Sequence, residues 1–222
     1  MAINDYSTLR TAVSGSAKAS WSHRADILQN FDDFLQLMQE EMYRGVPEIP
    51  GAQGLRIREM EQRSTASLST SSRFLQLPDD YLEPRRAELE YTDANALTTV
   101  YPLKYVVPSL LVQQYGSGRP SCFTITSQYE FDITPDIAYT IEDQFYNKIT
   151  DLSSSNTTHT ILTKFPSIFL YGCLYEAFKW AQNFEKANYY GSLFQNSINA
   201  ANEQDEWGIG PAPQMIMVGP IP

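Results

Sequence analysis

Apolar residues recur every three or four positions near both ends of the chain, a spacing that predicts amphipathic helices. The first two predicted helices span about residues 7–16 and 23–43, and the last two span about 166–184 and 186–207. The second helix carries the clearest stripe, which consists of Leu28, Phe31, Leu35, Met38 and Met42. Two of these helices lie near the start of the sequence and two lie near its end, so together they predict a helical bundle formed by the two terminal regions.

The predicted helix at 166–184 is apolar on two faces. Its second stripe consists of Phe169, Cys173, Trp180 and Phe184, and the small Gly172 lets another helix approach closely. A helix of this kind lies either at the centre of its own core or between its own core and a neighbouring subunit. We assign the second stripe to a subunit interface.

Between the helical regions, apolar and polar residues alternate as they do in half-buried strands. Residues 55–60 predict one strand, and residues 122–141 predict a meander of three antiparallel strands. The predicted fold class is therefore α+β. An antiparallel helical bundle of residues 1–54 and 156–207 carries an inserted antiparallel β-sheet or sandwich domain of residues 55–155, and residues 208–222 form an extended C-terminal arm.

The last 15 residues differ in kind from the rest of the chain. Seven of the 15 are glycine or proline and none is charged, so this segment cannot form a helix. It is either a disordered tail or an arm that becomes ordered on a partner, by strand addition or by filling a groove. The candidate partner-binding residues are Trp207, Met215, Ile216, Met217 and Val218.

The chain has 16 basic and 26 acidic residues, a formal charge of −10. This charge argues against a sequence-independent nucleic-acid binder and against an anionic membrane surface as partner. Cys122 and Cys173 form no CxxC pair and predict free thiols in a reducing compartment. The most apolar stretch is interrupted by charges and is too short to span a bilayer. We expect a protein made in cytoplasm.

Motifs for catalysis and cofactor binding are missing. His23 and His159 are the only histidines, and neither HExxH nor paired CxxC occurs, so we expect no metal. The GxG of Gly116 and Gly118 lacks the rest of the nucleotide fingerprint, and we expect no cofactor. The chain is predicted not to be an enzyme, and a hydrolase with a dispersed site is the alternative.

Paired charged residues have two interpretations. Adjacent acids such as Glu40 and Glu41 can share a proton in a catalytic site, but at a helix end they are typical of a solvated surface. Arg85 and Arg86 pair either with carboxylates of a neighbouring chain or locally with Glu83 or Glu88. The sequence leaves both interpretations of the arginines open.

An ordered set of segments resembles a known family. The segments are MAINDYSTLRTAV, ILQNFDDFLQLMQEEMYR, LRIREMEQRSTASL, FLQLPDDYLEPRRAEL and, as the most specific, FYNKITDLSSSNTTHTILTKFPSIFLYGCLYEAFKWAQNFEKANYYGSLF. Together they resemble the portal–tail adaptor, or head–tail connector, proteins of tailed bacteriophages, particularly the short-tailed type. The chain departs from the family in its SGSAKASWSHRAD insert and its GVPEIPGAQG loop.

The resemblance implies a structural virion protein at the head–tail interface. It implies a homo-oligomeric ring, usually a dodecamer, that docks beneath the portal protein, continues the DNA channel and meets tail nozzle or tail fibre proteins. Genomic DNA would pass through without specific binding, and no membrane is involved. The C-terminal arm would bind the portal or a neighbouring adaptor. A tail-tube or nozzle component of the same virion is the alternative.

The acidic charge gains a role if the chain forms a channel. Acidic walls repel phosphate, so DNA does not stick during ejection. The last predicted helix ends with Glu203, Asp205 and Glu206, and residues 187–222 contain no lysine or arginine. We expect these three acids to face the channel.

Overall fold

The computed structural model describes residues 2–18, 29–93 and 95–207. The chain divides into two compact units. Met1–Glu59 and Thr150–Pro222 form the first, here called the helical unit, and Met60–Ile149 form the second, here called the β unit. Whether the predicted domains 1–54 with 156–207 and 55–155 fold on their own stays a prediction.

The described residues of the helical unit form five helices. They are α1 (Tyr6–Lys18), α2 (Phe31–Arg44), α3 (Thr160–Lys164), α4 (Pro166–Trp180) and α5 (Phe184–Trp207). Helix α4 contacts the other four, which explains why apolar residues surround it. In α2, the residues from Phe31 onward in the predicted stripe are buried. The predicted start of that helix lies outside the described residues.

A glycine sets the distance between α4 and its neighbours. A Cβ atom on Gly172 would lie 2.1 Å from Met38 Cγ and 3.1 Å from a ring carbon of Phe194. Helices α2 and α5 therefore both close on α4 at this point. The small residue serves packing within one chain.

The described residues of the β unit form nine strands. They are β1 (Glu61–Ser67), β2 (Phe74–Leu75), β3 (Tyr81–Thr92), β4 (Thr98–Tyr105), β5 (Ser117–Gly118), β6 (Cys122–Ile125), β7 (Tyr129–Phe131), β8 (Thr134–Pro135) and β9 (Thr140–Asn147). Seven of them form one sheet in the order β1-β9-β3-β4-β6-β7-β2, and β5 pairs with β8. Within the large sheet, β4 and β6 run parallel and the other neighbours run antiparallel.

One face of the large sheet holds the core of the β unit. Its buried members include Leu89, Leu103, Phe123, Phe131 and Ile141. Polar residues alternate with them along β3, so the strand is half-buried. Pro84 lies at a shift in the β3–β9 register, a position where a missing backbone N–H is tolerated.

The predicted fold class is wrong. The structure is a mostly β fold, in which a curled, seven-stranded mixed sheet forms half a barrel and a few helices accompany it, and not an antiparallel helical bundle with an antiparallel β domain. The parallel pair β4–β6 breaks the antiparallel pattern. Parallel neighbours need a crossover of a dozen or more residues, and residues 106–121 supply it.

Two strand predictions are also wrong. Residues 55–57 form no strand, and Arg58–Met60 is a 3₁₀ turn, because side chains of α5 accept their backbone N–H groups. Arg56 N donates to Asn202 at 2.8 Å and Arg58 N donates to Asp205 at 3.1 Å. The predicted meander is wrong at its third strand, because β9 pairs with β1 and β3 and not with β7.

Candidate functional site

The four residues assigned to a subunit interface separate into two pairs. Phe169 and Cys173 are fully buried inside the helical unit, and burial raises the pKa of the Cys173 thiol. Trp180 and Phe184, at the corner between α4 and α5, are 43% and 63% exposed. Only the second pair is accessible to another molecule, and the assignment of an interface to that corner stays a prediction.

The three acids assigned to a channel also differ from one another. Glu203 is exposed on α5. Asp205 accepts hydrogen bonds from Arg58 N and from Arg58 Nε, the latter at 3.0 Å, so its charge is compensated. The side chain of Glu206 lies outside the described residues. Among the described side chains, Glu203 is therefore the one of the three acids that faces solvent without an ion-pair partner.

The residues assigned to partner binding lie outside the described part of the structure. This holds for Met215, Ile216, Met217 and Val218 and for the side chain of Trp207, whose backbone ends α5. Their assignment stays a prediction.

A charged cluster, here called the Lys179 cluster, joins α2 and α4. Lys179 Nζ lies 3.1 Å from Glu176 Oε1 and 3.2 Å from Glu41 Oε1. Burial and the nearby Glu176 raise the pKa of Glu41. Burial alone would lower the pKa of Lys179, but the two carboxylates outweigh it and raise that pKa. The expectation that Glu41 is a solvated helix-end acid is wrong, because only 16% of its side chain is exposed.

His159 has a structural role at the start of α3. Its Nδ1 accepts a hydrogen bond from Ile161 N at 3.2 Å and thereby caps the helix. Its ring packs against Phe169 with the centroids 5.1 Å apart, and Nε2 has no hydrogen-bond partner among the described residues. Burial lowers the pKa of His159 to about 4, although nearby Asp151 opposes the shift.

The β unit buries one acid beside a tyrosine. Asp143 on β9 is 2% exposed and accepts a hydrogen bond from the Tyr129 hydroxyl. Its Oδ1 atom has no hydrogen-bond partner among the described residues. Burial raises the pKa of Asp143 to about 6, against the lowering effect of the Tyr129 hydrogen bond.

Arg85 and Arg86 pair within the chain. Arg85 Nη2 lies 3.2 Å from Glu61, and Arg86 Nη2 lies 2.5 Å from Glu88. The local interpretation of Arg86 with Glu88 is confirmed, whereas the ion pair of Arg85 with Glu61 was not foreseen. The Arg86 side chain stays 66% exposed.

The crossover between β4 and β6 exposes apolar side chains, a feature that the sequence analysis missed. Leu110 is 69% exposed, Val112 is 77% exposed and Tyr115 is fully exposed. Hydrogen bonds hold both ends of this segment, from Val106 N to Phe123 O at 2.9 Å and from Gln114 N to Asp132 O at 2.7 Å. We call residues 105–118 the crossover segment. They include no charged residue, which is the signal that could have found them.

The described residues contain neither a metal-binding cluster nor a membrane-spanning helix. Within the described part of the chain, no three His, Cys, Asp or Glu side chains gather closely enough to hold a metal ion. Over the same residues, every helix is too short or too polar to cross a membrane. Cys122 and Cys173 are free thiols, as predicted.

Comparison with known families identifies the class of protein. A family model matches residues 4–215, nearly the whole chain, and describes phage adaptor proteins. The chain belongs to the SU10 adaptor protein family. No curated protein matches it. The resemblance to phage adaptors is thereby confirmed, and the short-tailed type stays a prediction. The protein is a structural, virion-associated adaptor whose partners are structural proteins of the phage head and tail.

Proposed function

We propose that this adaptor forms a ring that joins the capsid portal to the tail and continues the DNA channel. The observation that carries the proposal is the family match, which extends over residues 4–215 and so includes both units. An adaptor must contact at least two structural partners, and the portal and the tail are the two bodies that meet at a head–tail junction. The ring is proposed to contain twelve copies.

The charge of the chain supports a role as a DNA conduit. At −10 the protein repels phosphate and gives passing DNA no attractive surface. We assign Glu203 and Glu206 to the channel wall. We no longer assign Asp205 to it, because Arg58 compensates its charge.

Two surfaces are proposed to bind neighbouring proteins in the assembled ring. Trp180 and Phe184 form an exposed apolar corner for a neighbouring copy or a head or tail protein. The C-terminal arm, with Trp207 and residues 215–218, is proposed to bind the portal or the adjacent adaptor. Neither contact involves Phe169 or Cys173, because both side chains are fully buried in the core of the helical unit.

The test is assembly on purified portal protein, viewed by electron microscopy. We expect a closed ring beneath the portal, coaxial with its channel, with the end of α5 lining the bore. The role of the arm is tested with the chain truncated after residue 207. We expect this variant to remain folded and to fail to attach to the portal. Copies found farther along the tail, below the adaptor layer, would favour a tail-tube or nozzle component. Normal assembly of the truncated chain would contradict the role of the arm.

A further inference from the structure

Strand β1 is an open edge of the seven-stranded sheet. Among the residues that the structure describes, it pairs with β9 on one side and with no strand on the other. Each residue from Glu61 to Ser67 has one partner on β9, without a bulge, and none of the seven is buried. Backbone N–H and C=O groups point to both sides of a strand, so the outer side of β1 presents donors and acceptors that no strand uses.

The features that usually protect a sheet edge are not found in β1. Proline, lysine and bulges keep further strands from pairing with an edge, and the sequence EQRSTAS contains neither proline nor lysine. Both charged residues of β1 pair within their own sheet, since Arg63 lies 3.4 Å from Glu142 and Glu61 lies 3.2 Å from Arg85. The part of β4 that pairs only with β3, by contrast, contains Pro102. An unprotected edge is a binding site for an extended segment.

The C-terminal arm contains a segment that fits such an edge. Residues 214–218, QMIMV, contain no glycine, proline or charged residue, and they lie between Pro213 and Gly219. Isoleucine and valine favour extended backbone, and a segment of five residues pairs along most of the seven residues of β1. Because the segment is uncharged, it adds no like-charge repulsion when it meets a chain that carries −10.

We propose that residues 214–218 of one copy add as a strand to the β1 edge of the next copy. Six residues separate this segment from the end of α5 at Trp207, and when extended they span about 20 Å, enough to reach a copy that lies in contact. Each copy has one arm and one β1 edge, so the contact is heterologous and closes a ring in which every edge is paired. In this respect the inference rests on the proposed function.

The β1 edge favours the adjacent adaptor over the portal as the partner of the arm. An arm that binds the portal leaves the β1 edge of every copy in the ring without a strand. Natural proteins seldom leave a regular edge of this length unprotected, because it pairs with other chains. Addition of the arm to the adjacent copy covers the edge and joins two copies through one contact.

The decisive experiment is cross-linking between copies that each carry one new cysteine. Both proteins carry Cys122→Ser, and Cys173 is fully buried and does not interfere. One protein carries Ile216→Cys in the arm, and the other carries Thr65→Cys at an exposed position of β1. The two are assembled together on portal protein and treated with a short bismaleimide. We expect cross-linked dimers from the mixture and less than a tenth as many from either protein alone.

Arg86→Cys provides the matched control for Thr65→Cys. The side chain of Arg86 is 66% exposed, but β3 already has β9 and β4 on its two sides and cannot pair with a further strand. Its mixture with Ile216→Cys should give no dimer. Rings that form without a cross-link between residues 216 and 65 overturn this inference and leave the proposed function standing.

A chain that carries both Ile216→Cys and Thr65→Cys shows whose edge the arm meets. In assembled rings we expect a ladder of cross-linked multimers. A cross-linked monomer would show that the arm pairs with the edge of its own chain and would overturn the inference. Failure of the unsubstituted chain to form rings on the portal would overturn the proposed function together with the inference.

A second measurement does not depend on cysteine chemistry. Hydrogen exchange of residues 61–67 should be at least tenfold slower in rings than in the unassembled chain, because the added strand takes up the outer N–H groups of β1. Ile216→Pro removes a backbone N–H from the arm and should form at least tenfold fewer rings, whereas Ile216→Val should assemble like the unsubstituted chain. Unchanged exchange at β1, or normal ring formation by Ile216→Pro, would overturn the inference.

Discussion

The helical unit and the β unit bury acidic side chains in different surroundings. In the helical unit, Glu176 and Glu41 share the ammonium group of Lys179. In the β unit, Asp143 accepts one hydrogen bond from the Tyr129 hydroxyl, and none of the described side chains pairs it with a cation. A buried charge needs a partner to offset its lost hydration. The comparison shows that one unit offsets it with opposite charge and the other offsets it only in part.

Acid should therefore stabilise the β unit and act through two opposed groups in the helical unit. The pKa of Asp143 is raised to about 6, so the folded β unit holds a proton that the unfolded chain releases at about pH 4, and stability falls as the pH rises between these values. The pKa of His159 is lowered to about 4. In the helical unit this shift lowers stability as the pH falls from about 6.5 to 4, whereas the pKa of Glu41, raised to about 7, increases stability as the pH falls, so the two contributions largely offset each other.

The largest expected effect tests whether a destabilising substitution in one unit leaves the other unit folded. Phe169→Ala removes a fully buried ring from the helical core, and Phe131→Ala does the same in the β core. Each should lower the free energy of unfolding by about 3–5 kcal/mol. Hydrogen exchange read by mass spectrometry should show lost protection only in the unit that carries the substitution.

Loss of protection throughout the chain in both variants would show a single cooperative transition. The pH responses of the two units would then merge into one curve, and the comparison between the units would hold only for local structure. Protection lost in one unit alone would instead support the predicted division into domains.

The next effect isolates the buried acid of the β unit. Asp143→Asn should abolish the loss of stability that accompanies a rise from pH 4 to pH 6, which amounts to roughly 3 kcal/mol at about 1.4 kcal/mol per unit of pKa. The measurement is urea unfolding at several pH values, followed by hydrogen exchange of β9. His159→Asn is the matched control, because it keeps a side-chain acceptor for the α3 cap and should alter only the helical unit. An unchanged slope in Asp143→Asn would show that another group titrates.

How far the fold could be predicted from the sequence depends on whether an element is determined by local periodicity or by contacts with distant residues. The 3.6-residue period of α2 is a local signal, and its buried Phe31, Leu35 and Met38 follow it. The parallel pairing of β4 with β6 depends on which distant strands meet, and the alternation of apolar and polar residues along a strand does not determine that. Residues 55–60 alternate like a strand, yet Asn202 and Asp205 of a distant helix accept their N–H groups.

The candidate site shows the same limit at the level of single residues. Periodicity indicates that α4 has two apolar faces but not that Phe169 lies inside the chain while Phe184 lies outside it. Glu41 follows another acid at the end of a helix, and its burial depends on α4. The crossover segment differs from these cases, since its lack of charge is visible in the sequence and only its exposure required the structure.

The smallest expected effect tests whether the charge of Lys179 stabilises the two buried acids of the helical unit. Lys179→Met removes the cation and leaves Glu41 and Glu176 facing each other. Breaking a buried ion pair costs about 3–5 kcal/mol, but water screens this lysine because 37% of its side chain is exposed, so we expect about 1–2 kcal/mol at pH 8. The loss should shrink at pH 6, because the raised pKa of Glu41 lets that residue take up a proton. Urea unfolding at the two pH values measures both effects. Adding Glu41→Gln should recover most of the loss, and a double variant no more stable than Lys179→Met would show that the lysine acts by packing and not by charge.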